Sequence, residues 1–237
     1  MPKLVHSSQL TVHRILKTVN RELMTVNWRQ RRHGFTLIEL LIVISIFGLT
    51  ASLITASYLT FERNQRLKAA AQKIKTDIRF TQNKALTGDK GLGSDPCVTP
   101  NTLFGWYISF SSEISKNTYY TIAGDCQNQT SGGEVTFAIN TQSLPQGVQI
   151  TKITYGSDTA DRKNVWVLFE PLKHDVTFFS SALSDDVPPF LDNDGNFRSG
   201  KLLVSLPGEK ITIQLAREKT YYYVDVQPSG EVYERQQ

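Results

Sequence analysis

This chain is poor in the residues that build reactive centres. It has two cysteines, Cys97 and Cys126, and four histidines among 237 residues. Two cysteines exclude a multiply bridged scaffold, and so few sulfur and imidazole donors leave no zinc cluster to assemble. There is no nucleophile elbow, no phosphate-cradling glycine loop, and no companion motif for His174, so the chain reads as a non-enzyme that needs no cofactor. Internal repeats and low-complexity stretches are also lacking, which removes solenoids and repeat arrays. Proline is absent from Gly34 to Asp95, so nothing in that span breaks a helix.

The longest absence is of charge. From Leu40 to Phe61 no formally charged residue occurs. Roughly 22 residues at ~1.5 Å each reach about 33 Å, enough to cross a hydrocarbon core of ~30 Å. Arg29, Arg31 and Arg32 precede the run and mark its cytoplasmic side, so the rest of the chain lies outside. The overall net charge of +4 is misleading. Residues 1–34 hold seven Lys or Arg and one Glu, a net of +6, which leaves −2 for the remainder. A chain acidic beyond its first segment has no global electrostatic case for nucleic-acid binding.

Glu39 stands at the start of the apolar run, with no Lys, Arg or His within a turn or two on its C-terminal side. An acid at membrane depth costs a few kcal/mol and is usually paired. Two readings stay open. One is an acid favoured by the positive end of a helix. In the other, cleavage after Gly34 frees an α-amino group on Phe35, its own or a neighbour's, that becomes the nearest cation.

The stretch Gly34-Phe35-Thr36-Leu37-Ile38-Glu39, with basic residues before it, the apolar run after it and Gly48 within it, resembles the type IV prepilin (class III) signal. A conventional secretory signal fits worse, since the run exceeds the usual h-region, contains an acid and lacks a small-residue exit. The resemblance implies that residues 1–34 are a leader that prepilin peptidase removes, with Gly34 last in the leader and Phe35 the N-methylated first residue of the mature chain. It also implies that Glu39 pairs with the terminal amine of an adjacent subunit. Met24 is an alternative start that would leave a compact leader from Thr25 to Gly34.

Beyond the membrane run, Leu67, Ala70, Ala71, Ile74, Ile78, Thr81 and Ala85 recur at three- and four-residue intervals. Arg63, Lys68, Lys73, Lys75, Asp77 and Arg79 fill the positions between, which predicts an amphipathic helix. Gly88 is a natural residue to end it. The expected organisation is a leader at 1–34, a transmembrane and assembly helix at 35–61, its amphipathic continuation at 62–88, and an extracytoplasmic β-rich domain at 89–237. Short strands are expected at Phe104–Phe110, Thr118–Ala123, Val135–Ile139, Val148–Tyr155, Val165–Phe169, Val176–Phe179, Leu202–Leu206, Ile211–Leu215, Tyr221–Val226 and Glu231–Tyr233. Strands spaced this closely form antiparallel sheet. The fold class is therefore α+β, a long N-terminal helix packed on an antiparallel β-sheet domain, which is the pilin-like layout the resemblance implies.

Within that superfamily, Phe104-Gly105-Trp106-Tyr107-Ile108, Phe169-Glu170-Pro171 and Val224-Asp225-Val226…Ser229-Gly230-Glu231-Val232 are similar to GspH/FimT-type minor pseudopilins and pilins, whose domain packs two sheets behind the helix. Lys173 and Glu231 depart from that pattern. Many major pilins carry a proline midway along the membrane half, where this chain has Ala56, which points to a minor subunit. Tip-capping pseudopilins typically lack the acid, so with Glu39 this chain resembles a subunit below the tip or within the shaft.

Cys97 and Cys126 both fall outside the membrane, where an oxidising compartment would allow them to pair. Asp192-Asn193-Asp194-Gly195-Asn196 is rich in oxygen donors, making Asp192, Asp194 and Asn196 a calcium candidate. The glycine is misplaced for an EF-hand, however, and its twelfth position is Leu203, so an Asx-type turn is the simpler reading. Tyr221, Tyr222, Tyr223, Trp106, Trp166, Phe178 and Phe179 offer stacking surfaces, but in a β-domain such residues are mostly core. The acidic tail around Glu231 and Glu234 speaks against nucleic acid as a partner.

The function these features imply is a minor pilin or pseudopilin of a type II secretion pseudopilus. Its expected partners are prepilin peptidase, other pilin or pseudopilin subunits and an inner-membrane assembly platform. It would be a single-pass inner-membrane protein with a cytoplasmic N-terminus and an extracytoplasmic C-terminal domain, filament-associated after assembly. The alternatives are a type IV pilus minor subunit, serving adhesion, twitching or DNA uptake, and a membrane-anchored binding module that never polymerises.

Overall fold

The computed structural model describes residues 34–91, 97–128, 133–181, 190, 202–203 and 209–236. The chain divides into two compact units, one ending at Leu49 and one spanning Thr50–Gln237. Helix α1 runs Leu37–Leu86, without a proline to interrupt it. It begins two residues later than the sequence suggests because Thr36 is its N-cap. The Thr36 Oγ1 accepts the Glu39 N–H at 3.3 Å, which satisfies one of the unpaired donors of the first turn.

The other end of α1 closes by a Schellman arrangement. Gly88 N–H donates to Ala85 O and Asp89 N–H to Lys84 O, both at 3.0 Å. Gly88 takes φ +64, the left-handed conformation this cap needs. Lys84 in the last turn reaches Asp89 at 2.6 Å and lies 4.2 Å over the Trp106 ring. The Trp106 indole N–H donates to Asp89 O at 2.7 Å. The cap is thereby tied to the first strand.

Ten strands follow among the described residues: β1 (Thr102–Ser111), β2 (Tyr119–Gln127), β3 (Glu134–Ser143), β4 (Gln149–Tyr155), β5 (Asn164–Phe169), β6 (Val176–Ser181), β7 (Leu202–Leu203), β8 (Ile211–Arg217), β9 (Thr220–Val226) and β10 (Val232–Gln236). They form two antiparallel sheets, of order β3-β2-β1-β5-β6-β7 and β10-β9-β8-β4. Every expected strand segment coincides with one of these. Of Leu202–Leu206, residues 204–206 lie outside the described residues.

One core joins the three layers. The stripe Leu67, Ala70, Ala71, Ile74, Ile78 and Ala85 is buried with Trp106, Ile108, Phe110 and Ile122 of the larger sheet and with Ile150, Ile213, Leu215 and Val224 of the smaller. Thr81 is fully buried as well and donates its hydroxyl to Asp77 O at 2.7 Å. The β5 strand is buried throughout. Val165, Val167 and Phe169 face the main core, while Trp166 and Leu168 face a second cluster with Tyr107, Ala123, Phe179 and Phe190. Phe190 holds this outer cluster by edge contacts to Tyr107 and Phe179, with ring centroids 5.2 and 4.9 Å apart. Trp106, Trp166, Phe178 and Phe179 are therefore core, as the composition of a β-domain suggests. Of the three consecutive tyrosines, Tyr222 is buried and Tyr221 is exposed, as strand alternation requires.

Candidate functional site

Gly34, Phe35 and Thr36 lead into α1, and Glu39 stands in its first turn. Besides its hydroxyl, Thr36 offers its carbonyl to the N–H groups of Glu39 and Leu40, at 3.1 and 3.2 Å. Glu39 is thus fixed as the third residue of the helix, an acid in the first turn beside the positive end of the backbone dipole. That geometry supports the simple helix-end reading of Glu39. It also leaves the carboxylate exposed, where a second chain can reach it.

The cleavage candidate is open. Phe35 is 73% exposed, and a Cβ built on Gly34 meets nothing within 4 Å. A glycine at 34 is therefore not demanded by the packing of this chain. If the position requires glycine, the requirement comes from a partner that handles the Gly34–Phe35 junction.

The apolar turns after Glu39 are uncovered. In the first unit, Leu37, Ile38, Leu40, Ile44, Phe47 and Leu49 are exposed, and in the second the same holds for Leu53, Ile54, Tyr58 and Phe61. Leaving such side chains in water forfeits about 1.5–3 kcal/mol each. The polar side chains between them satisfy themselves. Ser45 Oγ donates to Leu41 O and Thr55 Oγ1 to Ala51 O, both at 2.8 Å. A helix that closes its own hydrogen bonds and shows hydrocarbon outward is built for lipid or for other apolar helices. It is the one candidate membrane span among the described residues.

The prokaryotic N-terminal methylation motif matches residues 29–55, covering the Gly34–Phe35 junction, Glu39 and the uncovered turns as far as Thr55. The type IV major pilin protein PilA of Myxococcus xanthus (strain DK1622) is 30% identical over 100 residues. These two matches support a place in the type IV prepilin and pseudopilin superfamily. The alignment with that pilin spans 41% of each chain, well under half of the relative's length. No solved structure matches this chain. Its single apolar N-terminal helix fits a single-pass membrane anchor.

Elsewhere, the structure joins Cys97 and Cys126 in a disulfide, with Cα atoms 5.5 Å apart. It ties the segment before β1 to the end of β2. The calcium candidate Asp192, Asp194 and Asn196 lies outside the described residues. The sequence reading overlooked the helix cap, although Thr36-x-x-Glu39 is the pattern of a capping box. It also overlooked two buried aspartates, Asp125 and Asp225, for which no local pattern exists.

Proposed function

We propose that this chain is a prepilin that matures by cleavage between Gly34 and Phe35, is N-methylated on Phe35, and serves as a minor subunit of a type II secretion pseudopilus. The carrying observation is the pairing of an unobstructed Gly34–Phe35 junction with an exposed acid one helical turn on, at the head of an uncovered apolar face. In the filament, apolar turns pack side by side, Glu39 meets the amine of a neighbouring Phe35, and the β-domain forms the outer surface. Prepilin peptidase, companion subunits and an inner-membrane assembly platform are the partners this reading needs. The N-terminus lies in the cytoplasm before cleavage and the β-domain beyond the inner membrane. A second reading, a minor subunit of a type IV pilus, is favoured by the similarity to a type IV major pilin.

Mass spectrometry of the mature chain tests the core of the proposal. The expected N-terminus is methylated Phe35, and any other terminus overturns it. In Glu39→Ala, cleavage should continue while recovery in sheared filaments falls at least tenfold. Normal incorporation would refute the register role. Deletion of the gene then separates the two settings: lost secretion with normal surface pili supports the pseudopilus, and the converse supports the pilus.

A further inference from the structure

The outer face of the larger sheet carries a carboxylate whose chemistry asks for a cation. Asp125 on β2 is fully buried, and neither of its carboxylate oxygens has a hydrogen-bond partner. The Cys126 amide lies beside the group but does not meet it in hydrogen-bonding geometry. An unsatisfied neutral polar group in such a place costs about 1–3 kcal/mol, and an ionised one more. Burial and then the negative charge of Glu134 push the Asp125 carboxyl up to about 8. The neighbouring charge thus has the wrong sign to compensate.

Strand register gathers the surrounding oxygens. Asp125 pairs with Thr136 of β3, and Glu134 stands two residues from Thr136 on the same face. Tyr107 of β1 pairs with Ala123, two residues from Asp125 and so on that face too. The Tyr107 and Thr136 side chains hydrogen-bond each other, and Tyr107 feels the charges of both acids. Tyr107 and Thr136 also line a surface groove of about 430 Å³, whose lining includes neither acid. Two carboxylates and a hydroxyl, all hard oxygen donors, are the ligand type of calcium. That ion tolerates irregular coordination and fills remaining positions with water.

We propose that Asp125 and Glu134, assisted by the Thr136 hydroxyl, bind a calcium ion that pins the end of the β2–β3 pair. The proposal uses none of the residues Asp192–Asn196 and does not depend on the cleavage and assembly reading.

The test uses the full chain in detergent micelles, with calcium chloride or a chelator as the probe. Millimolar calcium should raise the thermal midpoint by several degrees, and terbium should give luminescence sensitised through Tyr107. Both effects should vanish in Asp125→Asn and weaken at least tenfold in Glu134→Gln. Asp125→Asn keeps the shape of the side chain, and Glu134→Gln changes a half-buried position, so at least one folded variant is available. No calcium shift in the unsubstituted chain would overturn the proposal, leaving Asp125 as a neutral acid. A shift that survives both substitutions would overturn it equally, because calcium would then sit elsewhere.

Discussion

Asp225 on β9 shows the opposite solution to the one at Asp125. It is almost fully buried, yet Lys210 Nζ and Thr212 Oγ1 donate to it at 2.5 and 2.7 Å, and Arg235 Nε donates at 3.2 Å. Arg235 also lies 4.4 Å over the Tyr223 ring. Burial alone would raise this carboxyl, but the three donors and the Lys210 charge outweigh it and hold the group below its ordinary value. The sign follows directly. A depressed folded value means the ionised form is favoured in the native state, so the stabilisation is fully present above the ordinary aspartate value of 3.8 and is lost as pH falls below it. Asp225→Asn should therefore cost about 1–3 kcal/mol at neutral pH and nearly nothing in strong acid. Denaturant unfolding of the variant and the unsubstituted chain across that range measures it. Gly230 is a residue with a comparable role in shape. It has φ +79 and sits where a Cβ would run into the Gln82 side chain and the His174 carbonyl oxygen, so only glycine lets the β9–β10 turn close against the helix.

At the scale of elements, the amphipathic half of α1 was legible because burial on one side of a helix imposes a period of 3.6. Each of Leu67, Ala70, Ala71, Ile74, Ile78, Thr81 and Ala85 is at most 1% exposed, while Lys68, Lys73 and Arg79 are exposed. Ile74→Ala should cost about 2–5 kcal/mol by leaving a cavity in the core that the helix shares with both sheets. Lys68→Ala, which touches only the solvated side, should change stability by less than about 0.5 kcal/mol. Thermal denaturation of the two variants checks the contrast. Strand boundaries were less legible. The Ile122/Gly124 irregularity between β2 and β3 lies where the Phe137 ring covers Gly124. That is a contact across strands, to which alternation along a single strand is blind.

For the molecule as a whole, processing and folding should separate cleanly. Gly34 has open space around its Cβ position, so Gly34→Leu should leave the melting temperature of the β-domain unchanged. Its uncut precursor should nevertheless accumulate, seen as a slower band on a gel. A drop in stability alongside the processing block would show that glycine serves the fold after all. Such separation is expected if the N-terminal helix carries the assembly contacts proposed above, because stability resides in the helix–sheet core.

What the amino-acid order determined by itself was local and periodic. It set the charge-free run, the Gly34–Phe35–Glu39 spacing, the buried stripe from Leu67 to Ala85, and the alternating short strands. Each follows from a rule that acts within a turn or two of chain. Only the tertiary structure decided the division of ten strands into two sheets, the joining of Cys97 to Cys126, and the fates of two buried aspartates. Asp125 and Asp225 are the same residue type in strands of similar pattern. One meets Lys210, Thr212 and Arg235, and the other meets Glu134, because strand order and register set which distant side chains arrive beside them. Local sequence carries no record of that.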